Sequence, residues 1–347
     1  MYGRVSPQAQ MFTMQALDAV IPEDHVLRKI RALVDEALLP ISRALESSYS
    51  HLGRKSVPAE VLLRALLLQA LFSIRSERAL CEQISWNLGF RWFVGLDWDD
   101  KVFDHSTLSV NRERLLGDGA AQAFFGEVVR LAQEKGLLNS DRLVVDGTQI
   151  KAWASMKSFK ATDGSEDDKP NFKGTKRSNK THASTTDADA KLFRKGKGQE
   201  SMLCFHGHIL VDGASGFIRD LRLTIASGRS EVESALDMAG QILKPKGLIL
   251  VGDRLYDQDR FVSGTKELGL APHPRAKSKH SRVSEKTKES EPYKDSMKCR
   301  YIVEGSFGWM KQIGNMRQPK FRGRAKVEWS FVMNALARNL VLLAKCA

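Results

Sequence analysis

Arg142-Leu143-Val144-Val145-Asp146-Gly147-Thr148 is a short apolar run that ends on an acid, with no polar residue to ease the transition. A run of this length rich in branched side chains reads as a buried strand. A carboxylate at its end needs a compensating partner, because burying an isolated charge is costly. Asp-Gly is also a common turn pair, so this stretch alone leaves both a turn and a site open. Gly247-Leu248-Ile249-Leu250-Val251-Gly252-Asp253 repeats the pattern, again ending in an acid. Two strands that each deliver an Asp to their ends can place both at one edge of a sheet.

At 347 residues the chain is long enough for a substantial core and for two domains, a helical one at 1–137 and a mixed α/β one at 138–347. Its 54 Lys and Arg against 41 Asp and Glu give a formal charge of +13, which suits a polyanionic partner, nucleic acid ahead of a membrane surface. Cys81, Cys204, Cys299 and Cys346 lie far apart without a Cys-x-x-Cys pair, as expected of reduced thiols in a cytosolic protein. No signal peptide is expected, and the most apolar run, 61–74, is interrupted by Arg64 and Gln69 and is too short to span a bilayer.

The first half reads as helical. Pro22-Glu23-Asp24-His25 opens a helix on which Val26, Leu27, Ile30, Leu33 and Val34 recur at helical spacing. Ser56-Val57-Pro58 caps a second helix over 60–74 with almost no polar face, the expected core of this half. Ser76 starts a third helix, which Asn87-Leu88-Gly89 stops, and Asp104-His105-Ser106-Thr107 caps another that carries Arg112 and Arg114. A bundle of short helices with exposed Arg fits a helix-turn-helix DNA reader and a purely structural bundle about equally.

After Thr148, residues 151–200 carry 12 Lys and Arg against 7 Asp and Glu with few large apolar residues, and read as a mobile basic insertion able to order against phosphates. Residues 205–225 read as a hairpin turning at Asp212-Gly213-Ala214-Ser215-Gly216, where Asp212 serves the turn. His206 and His208 share one strand face at metal-like spacing, but no third nitrogen or sulfur ligand accompanies them. A helix over 231–243, the strand to Asp253, a helix over 257–268 and a strand at 270–273 complete a mixed sheet, and 275–298 reads as exposed.

Two carboxylates make a poor divalent-cation site, and a third appears in Arg300-Tyr301-Ile302-Val303-Glu304-Gly305-Ser306-Phe307-Gly308-Trp309-Met310-Lys311. At 100° per residue, Arg300, Glu304 and Lys311 share one narrow helix face, with Ile302, Trp309 and Ile313 opposite. Trp309 is assigned to the core. Residues 305–327 contain no acid and six bases: Lys311, Arg317, Lys320, Arg322, Arg324 and Lys326. An acid beside a run of bases suits phosphoryl transfer, in which hard cations take oxygen ligands and bases hold phosphates.

The blocks Asp146-Gly147-Thr148, Gly252-Asp253-Arg254-Leu255-Tyr256-Asp257 and Arg300-x3-Glu304-x6-Lys311, in order and separated by 107 and 51 residues, resemble the acidic blocks of the DDE transposases of insertion sequences, most closely the IS-five group. The Tyr position of that group's C-terminal signature is Met297 here. The resemblance implies an α/β, RNase H-like mixed sheet with flanking helices, preceded by an all-helical N-terminal domain that binds DNA ends. It implies Asp146, Asp253 and Glu304 as catalytic ligands of two Mg²⁺ ions, with Mn²⁺ as a substitute. Arg300, Lys311, Arg317, Lys320, Arg322 and Arg324 would contact DNA. The implied partners are double-stranded DNA, as element ends and target, and further copies of the chain in a homodimer or higher oligomer, in a bacterial cytoplasm. A nuclease that cuts without joining and a non-catalytic DNA-binding protein remain open at this point.

Overall fold

The computed structural model describes residues 15–47, 49, 56–117, 119–163, 177–196, 198–242 and 247–346. Within the expected basic insertion, 164–176 and 197 therefore lie outside the described residues. Among the described residues, eight α-helices precede the first strand: α1 (Leu17–Val20), α2 (Val26–Leu38), α3 (Ser42–Ser47), α4 (Ala59–Leu71), α5 (Glu77–Trp86), α6 (Leu88–Val94), α7 (His105–Gly117) and α8 (Ala120–Glu134). The strands are β1 (Arg142–Lys151), β2 (Phe159–Ala161), β3 (His182–Ser184), β4 (Lys191–Phe193), β5 (Met202–Asp212), β6 (Ile218–Ile225), β7 (Ile249–Gly252) and β8 (Ala271–Pro274). The later helices are α9 (Ser230–Gln241), α10 (Asp259–Glu267), α11 (Glu285–Glu289), α12 (Glu291–Cys299), α13 (Ile302–Gln312) and α14 (Arg324–Cys346).

The sequence signals act locally as expected. Ser76 Oγ accepts from Ala79 N to start α5, and Asp104 Oδ1 accepts from Ser106 N to start α7. The apolar α4 buries Leu62, Leu63, Leu66, Leu67 and Leu68. Asn87, however, ends α5 and also begins a further helix, its Oδ1 accepting from Phe90 N, so the aromatic segment that follows is the helix α6. Nor does α7 expose both its arginines: Arg112 is buried, paired with Glu77 and stacked over the Phe321 ring. A buried pair of this kind serves packing between the two halves rather than base reading.

The main sheet has the order β4-β5-β1-β7-β8, with β6 also paired to β5. β1 runs antiparallel to β5 and parallel to β7, and β7 runs parallel to β8. Side-chain alternation along β1 sends Leu143 and Val145 toward α9 and α10, and Val144 and Ile150 toward α13 and α14. α14 lies between the two halves, packing on α2, α4 and α8 and also on β6. Its fully buried Asn339 is satisfied by the β6 backbone, accepting from Ile218 N at 2.9 Å and donating to Ile218 O at 2.8 Å. One hydrophobic core therefore runs from the N-terminal helices through α14 to the sheet, so residue 137 marks a change of topology within a shared core. Residues 275–298 are largely exposed, as expected, yet ordered. They form α11 and α12, and Tyr293 OH donates to Pro274 O while Ser296 Oγ and His273 Nδ1 share a 2.8 Å hydrogen bond.

Candidate active site at the sheet edge

β1 and β7 pair as Arg142 with Ile249, Leu143 with Leu250 and Val144 with Val251. The ladder ends there, and the same offset carried two residues further sets Asp146 level with Asp253. The parallel register brings the two acids near one another, but Asp146 does not end its strand as expected: β1 runs on to Lys151, with Asp146 opposite Ile209 of β5, and only the pairing with β7 stops before it. Asp253 caps a short turn over Arg254–Tyr256, its Oδ1 accepting from Leu255 N at 2.7 Å. Gly252 before it is required by close approach, since a Cβ there would stand 2.8 Å from the Tyr256 ring. Asp146 Oδ1 accepts from Gly147 N at 2.8 Å.

Burial dominates the electrostatics of this edge. It pushes the Asp146 carboxyl up to about 7; the Gly147 N–H opposes the shift, and the negative charges of Asp253 and Glu231 add to it. Burial and Asp253 also raise Glu231. Glu231 was read from sequence only as the start of a helix, because nothing in its spacing separates it from Glu233. Lys195, exposed within the insertion, acts in the opposite sense on both Asp146 and Glu231. Tyr256 is fully buried, and among the described residues its hydroxyl has no hydrogen-bond partner; the charges of Asp146, Glu231 and Asp253 add to the rise that burial gives its phenol.

The third expected acid, Glu304, is exposed on α13. The face of α13 turned inward consists of Val303, Ser306, Phe307 and Met310, midway between the polar and apolar faces expected from sequence. Trp309 is half-buried against the main core, as is Met297. Arg300 precedes α13 and stacks over the Tyr301 ring. Lys311 is half-buried, its amine pKa lowered by burial and by Lys195 and Arg317 while Asp146 opposes the shift. α13 therefore turns its lysine end toward Asp146. Among the described residues, no three His, Cys, Asp or Glu side chains close into a cage able to hold a metal ion.

Beside Lys311, a cavity of about 500 Å³ between α4 and the α13–α14 connection is lined by Arg75, Arg317, Lys320, Phe321 and Trp329. Arg317, Lys320, Arg322 and Arg324 are all exposed, and Lys320 lies over the Trp153 ring. Lys326 instead pairs with Glu113. Asp212 serves its turn, with Oδ1 accepting from Ala214 N, Ser215 N and Ser215 Oγ and Oδ2 accepting from Ser140 N. Burial holds His206 and His208 neutral, lowering them to about 4 and about 3; His206 Nδ1 shares a hydrogen bond with Ser230 Oγ and His208 Nε2 with Thr224 Oγ1. Among the described residues no helix is long and apolar enough to cross a membrane.

A family model described as Transposase DDE domain matches residues 140–340, and one described as Transposase domain (DUF772) matches residues 15–114. No curated protein matches the chain. Among solved structures, a piggyBac transposase synaptic complex with hairpin DNA, determined by cryo-EM, is similar at 8% identity over 92% of this chain and 74% of that one, with a TM-score of 0.45.

Proposed function

Because this chain belongs to the DDE transposase family, we propose that it binds the terminal inverted repeats of an insertion sequence of the IS-five group, cleaves DNA at the element ends and joins them to a target. The observation that carries the reading is the parallel register of β1 and β7, whose last pair, Val144 with Val251, stands two residues before Asp146 and Asp253. In this reading the sheet is RNase H-like: β6-β5-β1 form the antiparallel part, and β7 and β8 follow in parallel.

The acidic edge fits a hard divalent cation, because it gathers half-buried, mutually repelling carboxylates and carries a Tyr256 hydroxyl unpartnered among the described residues. Asp146, Asp253 and Glu304 would hold Mg²⁺, or Mn²⁺ in its place. When bound, two such ions supply an activated water or DNA 3′-hydroxyl and neutralise the charge developing on phosphate. Lys311, half-buried and turned toward Asp146, holds a phosphate next to the reacting bond. The exposed Arg317, Lys320, Arg322 and Arg324 extend that grip along the duplex, and Arg300 contributes at the start of α13. The helical half reads the end sequence, and two or more copies assemble on paired ends.

The test is an assay with the full chain on duplexes carrying the inverted repeats that flank its coding region, end-labelled and supplied with Mg²⁺ and a target plasmid. Cleavage at the repeat boundary and covalent joining to the plasmid are expected. Cleavage without joining would make the protein a nuclease. Binding with neither reaction would leave a DNA-binding protein without catalysis.

A further inference from the structure

Glu231 stands in the first turn of α9, whose start is fixed by Ser230: Ser230 Oγ donates to Ser227 O at 2.9 Å and shares a hydrogen bond with His206 Nδ1. Its side chain lies against β1. The Glu231 Cγ and Oε1 atoms and His208 Nδ1 are each 3.2 Å from the point that a Cβ on Gly147 would occupy. Glycine at 147 therefore admits a carboxylate directly beside the residue that follows Asp146. Gly147 is level with His208 on the α9 side of the sheet, whereas Asp146, one residue earlier, points to the α13 side. Paired positions between β1 and β7 end at Val144, so beyond that point groups from both faces converge on the free edge of β1.

A second, independent observation marks this convergence as a place for a ligand. Tyr256 is 1% exposed and His208 is 0% exposed, yet among the described residues neither the Tyr256 hydroxyl nor His208 Nδ1 has a hydrogen-bond partner. Burial raises the Tyr256 phenol, and the charges of Asp146, Glu231 and Asp253 act in the same sense. Orphaned buried polar atoms are rare in native proteins and call for an explanation.

We propose that Glu231 is a further carboxylate ligand of the divalent cation bound between Asp146 and Asp253, reaching it from the α9 face, with the Tyr256 hydroxyl ordering its oxygen shell. The inference rests on the cation-binding role proposed for Asp146 and Asp253. Carboxylates that repel one another stand apart until a cation draws them in, which accounts for the open arrangement of the acids.

The test titrates the full chain with Mn²⁺ alone, without DNA, and follows thermal melting with and without chelator. Glu231→Gln should weaken Mn²⁺ binding roughly tenfold or more. It should also reduce the Mn²⁺-induced rise in melting temperature while melting no lower than wild type in chelator. Glu233→Gln, in the same helical turn and paired with Arg260, should bind Mn²⁺ as wild type does; an equal loss there would overturn the proposal in favour of a general charge effect at the helix end. If Glu231→Gln fails to fold, Glu231→Asp decides, because it keeps the charge but shortens its reach. Weakened binding supports the proposal, and unchanged binding overturns it. Asp253→Asn separates the two readings: lost binding there with wild-type binding in the Glu231 variants overturns this inference alone, whereas unchanged binding in Asp253→Asn as well overturns the cation site itself.

Discussion

Asp146 lies two residues beyond Val144 and Asp253 two beyond Val251, the last paired positions of two parallel strands, and one offset of 107 residues relates both pairs. With both faces of a strand buried, register is held by packing, because a slip of one residue would exchange the two faces and break every side-chain contact they make. Leu143, Val144 and Val145 are all buried. The packing that stabilises the sheet therefore also sets the spacing of its acids.

Asp212 and Asp257 show how different a structural acid is. Asp257 accepts from Lys277 N and Arg282 N at 2.7 Å each, and Asp212 uses both carboxylate oxygens in its turn. An Asn amide would face one donor with another, so Asp212→Asn and Asp257→Asn should each lose about 1–3 kcal/mol of stability in urea melts. Both should retain cleavage per folded molecule. Wild-type stability in either variant would show that these bonds contribute little.

The Asp146 carboxyl, pushed up to about 7 chiefly by burial, has an ordinary value of 3.8 when unburied. Its protonated native form contributes full stability below about pH 4, and that contribution is lost as the pH rises toward 7. Asp146→Asn lacks this dependence. In chelator, the stability of the variant relative to wild type should therefore grow between pH 4 and pH 7 and level off above, by an amount on the order of a few kcal/mol. A difference flat across that range would place Asp146 in water.

A fragment ending at residue 140 retains α1 to α8 but loses α14, which packs on α2, α4 and α8. Each buried Leu exposed by that loss removes about 1.5–3 kcal/mol. Such a fragment should show no cooperative melt by circular dichroism. A cooperative transition, with preference for the inverted repeats, would make the helical half an independent DNA reader.

Neutralising Arg317, Lys320, Arg322 and Arg324 together should weaken binding to every duplex and flatten the slope of log affinity against log salt by about 0.9 per lost phosphate contact. Lys326→Gln should change that slope least, because Lys326 is already paired with Glu113. An unaltered slope in the fourfold variant would turn this run away from DNA.

β1 and β7 were legible because strand period is a local signal, carried by a few adjacent residues each, whereas the run of β1 five residues past Asp146 is set by its pairing with β5. What escaped was set by tertiary contacts. Asn87 can stop one helix and start another, and only packing of Phe90 and Phe93 reveals the second. Arg112 looks exposed until Glu77, 35 residues earlier, closes over it. Residues 275–298 are poor in apolar side chains, yet Tyr293 and Ser296 tie them to β8 by hydrogen bonds that leave no hydrophobic period. Glu231 enters the site only because Gly147, far away in sequence, has no side chain.

The most direct measurement is single-turnover cleavage of an inverted-repeat duplex in Mg²⁺ by wild type, Asp146→Asn, Asp253→Asn, Glu304→Gln and the Asp146→Asn/Asp253→Asn double variant, with DNA affinity measured in parallel. If Asp146 and Asp253 act as one unit, each single variant abolishes cleavage while leaving DNA binding largely intact, and the double variant is no worse than either single. Near wild-type cleavage by Asp146→Asn or Asp253→Asn would contradict the account. The same result in Glu304→Gln alone would leave Asp146 and Asp253 in place and remove α13 from the cation site.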